Sequence, residues 1–286
     1  MAAAIPNAAT LFDLERLDDT RFRSPAPQIG GRRVFGGQVI AQTLIAASRT
    51  VEGRLPHSLH AYFILGGEID QPITYDVERL RDGNSFSTRR VTAQQNGQVI
   101  YSTIVSFQVE EDGFTHQMPM PQVPAPETLD DTETLKAKFG DKLPASLMRF
   151  IERERPAELR YTNLDRFLGR ANDGPIDVWF RFKFKLPANP LIHRFALAYA
   201  SDMALVDAAL APHGASVFDT DIIAASLDHA LWFHRDGQLD DWVLFHQDSP
   251  TMGGGRGLAR GLMFSRDGRL LASVAQEGML RRRRGT

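Results

Sequence analysis

The chain has no cysteine among its 286 residues. Disulfides, thiol nucleophiles and cysteine-ligated metals are thereby excluded, and a reducing compartment is expected. Charge of one sign is also missing: 33 Lys and Arg face 35 Asp and Glu, for a formal net charge of -2. No basic field marks nucleic acid as a partner, and the short run Arg281–Arg284 reads as a solvated tail. No stretch is apolar for long enough to span a bilayer. The first residues, Met-Ala-Ala-Ala-Ile-Pro, lack the basic and apolar regions of a secretory leader. The closing Arg-Gly-Thr is not a peroxisomal tripeptide of the Ser-Lys-Leu kind. A cytoplasmic location is expected.

Several catalytic signatures are absent as well. No Gly-x-Ser-x-Gly marks a strained nucleophile turn, and no His-Glu-x-x-His marks a zinc site. The pairs His57/His60 and His229/His234 have no third ligand at a recognisable spacing. The run Gly253-Gly254-Gly255-Arg256-Gly257 lacks the Lys-Ser/Thr of a phosphate loop and reads as a hairpin turn. Neither a metal nor a cofactor is expected.

The hydrophobic fraction, 43%, supports a large core. Residues 11–23 alternate in places and read as an opening strand or strand-turn. From Gln38, the apolar residues Val39, Ile40, Leu44 and Ala47 recur at three- and four-residue steps and predict a helix, closed before Pro56. Strand signals follow at Ser58–Leu65, Ile73–Arg79, Phe86–Gln94 and Gln98–Val109, the last two joined by an Asn96-Gly97 turn. Four prolines between 119 and 126 predict a stiff linker, and residues 127–155 one or two surface helices broken at Pro144. Then come a strand at Val178–Leu186, a helix over Phe195–Leu210 ended by Pro212, and strands at Ile222–Phe233, Asp241–Gln247, Gly257–Ser265 and Arg269–Gln276. The expected organisation is a module over 1–114, linker and surface helices over 115–158, and a second module over 159–286.

Both modules run strand, helix, strands, which suggests duplication within an α+β architecture. Gly83 and Gly97 are 14 residues apart, as are Gly254 and Gly268, and the second pair follows the first by 171. That offset sets Arg89 on Arg260, Val99 on Leu270 and Val105 on Gln276.

Three polar residues of the second module stand out. Asp202 lies where an apolar helical pattern begins, and reads either as a first-turn or capping carboxylate or as a general base. Ser226 lies in a strand, as a small polar residue or as a hydrogen-bond partner for a water or a base. Gln276 shares a strand face with Leu270, Ala272 and Val274, so its amide needs partners. It reads as a strand-end glutamine or as a group that fixes a water or polarises a carbonyl. Glu277 is a rival carboxylate on the other face. One carboxylate, one hydroxyl and one amide can together hold and deprotonate a water. Val105 at the matching place in the first module implies one site per chain.

Val34-Phe35-Gly36-Gly37-Gln38, His57-Ser58-Leu59-His60-Ala61-Tyr62-Phe63 and the stretch Tyr75–Ser87 resemble the first half of type II acyl-CoA thioesterases. Ala200-Ser201-Asp202, Leu227–Arg235 and Val274-Ala275-Gln276-Glu277-Gly278 resemble the second half, so the likeness spans residues 10–282. The resemblance implies a double hotdog fold, two tandem modules each wrapping an antiparallel sheet around a long helix. It implies hydrolysis of fatty acyl-CoA by a water activated by Asp202, Ser226 and Gln276, with no covalent acyl-enzyme. Where a family member carries Thr, this chain has Ser226. The positive end of the second helix, near Asp202, is expected to stabilise the oxyanion, and an apolar groove between helix and sheet to take the acyl chain. Partners are then the acyl-CoA substrate and further copies of the chain, as a dimer or tetramer. A non-catalytic acyl-CoA or lipid-binding module is the alternative from another class. A hotdog hydratase or dehydratase is a third reading, against which the helix Phe195–Leu210 carries no histidine.

Overall fold

Two apolar helices lie side by side in the concavity of one continuous antiparallel sheet. The computed structural model describes residues 11–26, 33–140, 145–152, 155–167, 170 and 174–283. Met1–Pro6, Pro144 and the closing Arg284-Gly285-Thr286, which entered the sequence expectations, lie outside them. The first half contains β1 (Glu15–Arg16), β2 (Arg21–Ser24), α1 (Gly36–Ser48), β3 (Leu55–Phe63), β4 (Ile73–Asp82), β5 (Phe86–Gln95) and β6 (Gln98–Gln108). Between the halves come α2 (Thr132–Phe139), α3 (Ala145–Glu152), β7 (Ala157–Tyr161) and α4 (Leu164–Phe167). The second half holds β8 (Ile176–Phe182), α5 (Pro190–Ala200), α6 (Asp207–Leu210), β9 (Ile222–Ser226), β10 (Asp228–Phe233), β11 (Val243–Gly253), β12 (Arg256–Ser265) and β13 (Leu270–Arg282).

The sheet order is β1-β2-β4-β5-β6-β3-β10-β13-β12-β11-β8-β7, with β9 also paired to β13. The halves join where β3 meets β10 antiparallel, Leu59 opposite Leu231 and Ala61 opposite His229. Alternation sets the face that packs on the helices: β5 buries every second residue from Ser87 to Gln95, and β12 does so from Gly257 to Met263. Helix α1 is buried at every residue from Gly37 to Ser48, which explains why its apolar pattern wraps round rather than forming one stripe. The Tyr75 hydroxyl donates to Gln42 Oε1 at 2.6 Å and ties α1 to the sheet beneath it. Among the described residues no helix is long and apolar enough to cross a membrane.

The Pro-rich stretch is strapped along the second half. Trp179 Nε1 donates to the Pro124 carbonyl at 2.9 Å, and Gln117 exchanges hydrogen bonds with the Gly268 carbonyl and the Leu270 N–H.

Five expectations need correction. The helix foreseen over Phe195–Leu210 starts at Pro190, stops at Ala200 and resumes only as the short α6; between them Ala204 takes φ +62°, a left-handed conformation that no α-helix carries. Starting earlier, α5 includes His193. The strand foreseen over Ile222–Phe233 breaks at Leu227, because Ser226 pairs with Gly278 while Ala230 pairs with Ala275, a one-residue register shift. The last strand runs on to Arg282, so Arg281 and Arg282 belong to β13, paired with Ile223 and Ile222, rather than to a tail. Finally, the single offset of 171 holds for β6 and β13 but not for β5 and β12. Val105 pairs with Arg89, whereas Gln276 pairs with Ala259, so Arg89 matches Ala259 and not Arg260.

Candidate active site

The break after α5 and the start of α1 bring the two halves together. Phe35, the residue before α1, offers no side-chain cap, and the first turn carries no acidic residue. The helix therefore begins with unsatisfied N–H groups and the positive end of its dipole uncompensated from within. Asp202, two residues beyond the end of α5, supplies the missing acceptor: the Gly37 N–H donates to its carboxylate. Close approach requires glycine on both sides of that bond. A Cβ on Gly36 would lie 2.6 Å from Asp202 Oδ2, and one on Gly37 would lie 2.2 Å from the Tyr199 carbonyl oxygen. The expected placement of Asp202 at the start of the second helix is thus corrected. It lies past that helix's C-terminal end, and the positive terminus beside it belongs to α1 of the other half. A carboxylate next to its own helix's C-terminus would face negative dipole ends; the chain turn through Ala204 and the approach of α1 relieve that.

Burial pushes the Asp202 carboxyl up to about 7, against the opposing pull of hydrogen bonds from the Gln276 amide and the Gly37 N–H. At neutral pH it is therefore poised between accepting and holding a proton, the range in which a general base works best.

Gln276 comes from β13 and faces inward, 1% exposed. Its Nε2 donates to Ser226 Oγ at 2.7 Å, and its Oε1 lies 2.5 Å from His229 Nδ1. His229 in turn meets Ser201 Oγ through Nε2 at 2.8 Å. The structure thus brings Asp202, Ser226 and Gln276 into one connected set, Gln276 touching both others. In the sequence His229 stands out only as one member of a pair with His234. The signal that finds it is alternation: His229, Leu231 and Phe233 share the buried face of β10. The rival carboxylate Glu277 faces away and pairs with Arg256 at 2.9 Å.

A cavity of about 470 Å³ opens beside this set, bordered by Asp202, Ser226, Gly36, Phe63 and Tyr101, with Arg33 also on its wall. Burial holds the Tyr101 hydroxyl protonated well beyond neutral pH. Next in chain to Gly36, Phe35 packs edge-on against Tyr199 at 5.0 Å and turns to a separate apolar hollow shared with Phe150, Leu159 and Met203. A larger cavity of about 620 Å³ contains none of the three polar residues. His193 lines that one, and its Nδ1 accepts from the Leu239 N–H at 3.2 Å.

Two helix-bearing halves sharing one curved sheet, with a polar set where they meet, define a double hotdog protein. A structure titled as a conserved protein with hot dog fold, from Alicyclobacillus acidocaldarius, superposes with TM-score 0.75 at 19% identity, covering 96% of this chain and 97% of that one. The acyl-CoA thioesterase family profile matches residues 148–279, and that of the acyl-CoA thioesterase N-terminal domain matches 22–108. Acyl-CoA thioesterase 2 of Haemophilus influenzae is 41% identical, over 98% of this chain and 99% of its own length. Human acyl-coenzyme A thioesterase 8 is 36% identical, over 95% and 88%. The crystal structure of an acyl-CoA thioesterase II, TesB2, from Mycobacterium marinum gives a TM-score of 0.81 at 37% identity, covering 98% and 100%. The chain belongs to the type II acyl-CoA thioesterase family.

Proposed function

We propose that the chain hydrolyses fatty acyl-CoA to free fatty acid and CoA, with Asp202 as general base. The observation that carries this reading is the Asp202 carboxylate, its pKa raised to about 7, at the N-terminus of α1 and hydrogen-bonded to Gln276. A water held between Asp202, Ser226 and Gln276 attacks the thioester carbonyl carbon. Its proton passes to Asp202, and the new C–O bond forms as charge gathers on the carbonyl oxygen. The positive end of the α1 dipole, uncompensated by any acidic residue of its own first turn, stabilises that charge. The C–S bond then breaks, and the CoA thiolate leaves with the proton returned from Asp202. No acyl-enzyme is needed, because a thioester carbonyl is reactive enough for a positioned water.

The acyl chain lies towards the apolar hollow of Phe35, Phe150 and Met203. The thioester and the start of the CoA arm occupy the cavity of about 470 Å³ beside Asp202, with Arg33 on its wall. Residues 1–114 and 159–286 act as tandem modules, with 115–158 as their connection. Further copies assemble through the outer sheet face, where Tyr62 and Ile104 are exposed, as a dimer or tetramer. A cytoplasmic setting completes the reading, with cell fractionation as its check.

Free-thiol release from an acyl-CoA by the wild type and by Asp202→Asn tests the reading. A well-folded Asp202→Asn protein with full turnover would overturn it. The same assay separates hydrolysis from mere acyl-CoA binding. A hydratase needs a histidine beside the acid; His193 lines a different cavity, and His229 is engaged by Gln276 and Ser201.

A further inference from the structure

A glutamine amide is nearly symmetric in shape but opposite in polarity at its two ends, so the Gln276 position alone does not decide which end meets Asp202. A carboxylate only accepts hydrogen bonds. Gln276 must therefore present its NH2 end to Asp202 and to Ser226 Oγ, and Oε1 is left facing the imidazole of His229. That oxygen needs a donor. Burial depresses the His229 pKa to about 4, so the ring is neutral and carries a single N–H, which falls on Nδ1. Nε2 is then an acceptor, and the Ser201 hydroxyl donates to it at 2.8 Å. Ser201 Oγ also lies 2.8 Å from the Ala198 carbonyl oxygen. If its one hydrogen pointed there, Nε2 would have to carry the proton, and every bond along the chain would reverse. The amide oxygen would then face the carboxylate.

We propose that His229 is a positioning residue: its Nδ1–H, set by Ser201, fixes the Gln276 amide so that the NH2 end serves Asp202 and Ser226. The three members of this wire are closed to solvent, Ser201 at 0% and His229 and Gln276 at 1% exposure. The wire is built as a unit. In the first half Val105 holds the place of Gln276, and the strand residue opposite it, in the place of His229, is Leu59. Ser48, which matches Ser201, donates only to its own helix, at the Leu44 carbonyl.

The proposal rests on Asp202 being the base, so that reading is tested beside it. Full-length wild type, Asp202→Asn, His229→Leu and His229→Asn are compared for kcat, KM and the pH dependence of kcat/KM with one acyl-CoA; near-UV circular dichroism reports folding. Asparagine restores an N–H donor near the Nδ1 position, and leucine does not. His229→Leu is expected to lower kcat about 10–100-fold with a much smaller change in KM. It is also expected to move the acid limb upward, since an amide free to turn its oxygen inward disfavours the carboxylate. The groups facing Asp202 are otherwise unchanged: the Gly37 N–H, Ser226 and the Tyr101 phenol. His229→Asn is expected to recover about tenfold of the loss. Imidazole 15N shifts in the unmodified protein, assigned by the signal lost in His229→Asn, should show the Nδ1–H tautomer. The Nε2–H form, an imidazolium, or wild-type kcat and pH limb in folded His229→Leu overturns the proposal. If Asp202→Asn is inactive while His229→Leu is unimpaired, only the positioning role fails; if Asp202→Asn is active, the base assignment fails first.

Discussion

The two halves of this chain carry the same strand rows with opposite chemistry. In the first, Val105 lies between Leu59 and Arg89. In the second, Gln276 lies between His229 and Ala259. Two positions further along each strand, Phe107 pairs with Pro56 and Gly278 pairs with Ser226. At the helix ends Ala47-Ser48-Arg49 matches Ala200-Ser201-Asp202. Asp202, Ser226, His229 and Gln276 of the second half thus have basic, imino-acid or apolar counterparts in the first, and only Ser201 keeps a serine, Ser48. The buried cation Arg89 shows that the first half tolerates interior polarity, but uses it for closure. All its N–H groups are engaged, by Thr50, Arg81, Thr88 and Asp82. The two halves are matching scaffolds: one holds a buried polar wire, and the other is closed by apolar contacts and the fully engaged Arg89. The sealed half still contributes, because the N-terminus of its helix faces the carboxylate of the other.

The largest expected break in this asymmetry is Asp202→Asn. Turnover should fall by about 10²–10⁴-fold, read as free-thiol release. In the wild type, kcat/KM should drop below about pH 7 as Asp202 takes up a proton. Stability should move the other way. The folded pKa is raised, so between about pH 4 and 7 the folded state binds more protons than the unfolded one. Wild-type stability therefore declines through that window, and Asp202→Asn removes the Asp202 share of the decline, leaving that of Asp207, whose carboxyl burial also raises to about 7. Its Tm gain over wild type should be largest above pH 7 and vanish near pH 4.

Next in size is Gln276→Val, which installs the first half's residue. It strips the carboxylate of its amide donor and leaves His229 Nδ1–H without its acceptor. Losing a hydrogen bond to a charged group is worth about 1.5–3 kcal/mol, so kcat should fall roughly 10–100-fold. Ser226→Ala removes a neutral partner of the same amide and should cost about tenfold or less. Ser226→Thr keeps the hydroxyl and should retain most of the activity. Equal losses for Gln276→Val and Ser226→Ala would mean that the amide acts through the serine alone.

How much of this was legible beforehand follows from which interactions are local. Strand alternation and the Asn96-Gly97 turn are local, so β4, β5 and β6 fall where their patterns place them. The match of Val105 to Gln276 also survives, because both lie on uninterrupted strands. Features set by contact between halves were hidden. The apolar pattern runs straight through Asp202, yet the helix stops at Ala200, because the carboxylate must reach the start of α1. The one-residue shift at Leu227, which lets Ser226 border the cavity while His229 faces the interior, leaves no mark in composition. His229 itself looked like an unremarkable strand residue until Gln276 was placed opposite it.

The smallest expected effect on activity tests the comparison from its sealed side. Val105→Gln gives the first half the amide it lacks. Its neighbours would be Leu59, which has no polar atom, and Arg89, whose donors are already committed. The new amide would be buried without partners, at a cost of about 1–3 kcal/mol, so the melting temperature should fall. Turnover should stay within about twofold of wild type, since an isolated hydrogen-bonding group without its base contributes nothing to proton transfer. The sharper form places Val105→Gln in the Asp202→Asn background. If one amide were enough to wake a second site, hydrolysis would return there. Continued inactivity would mean that the asymmetry lies in the whole set: base, amide, the histidine that orients it, and the open helix terminus they share.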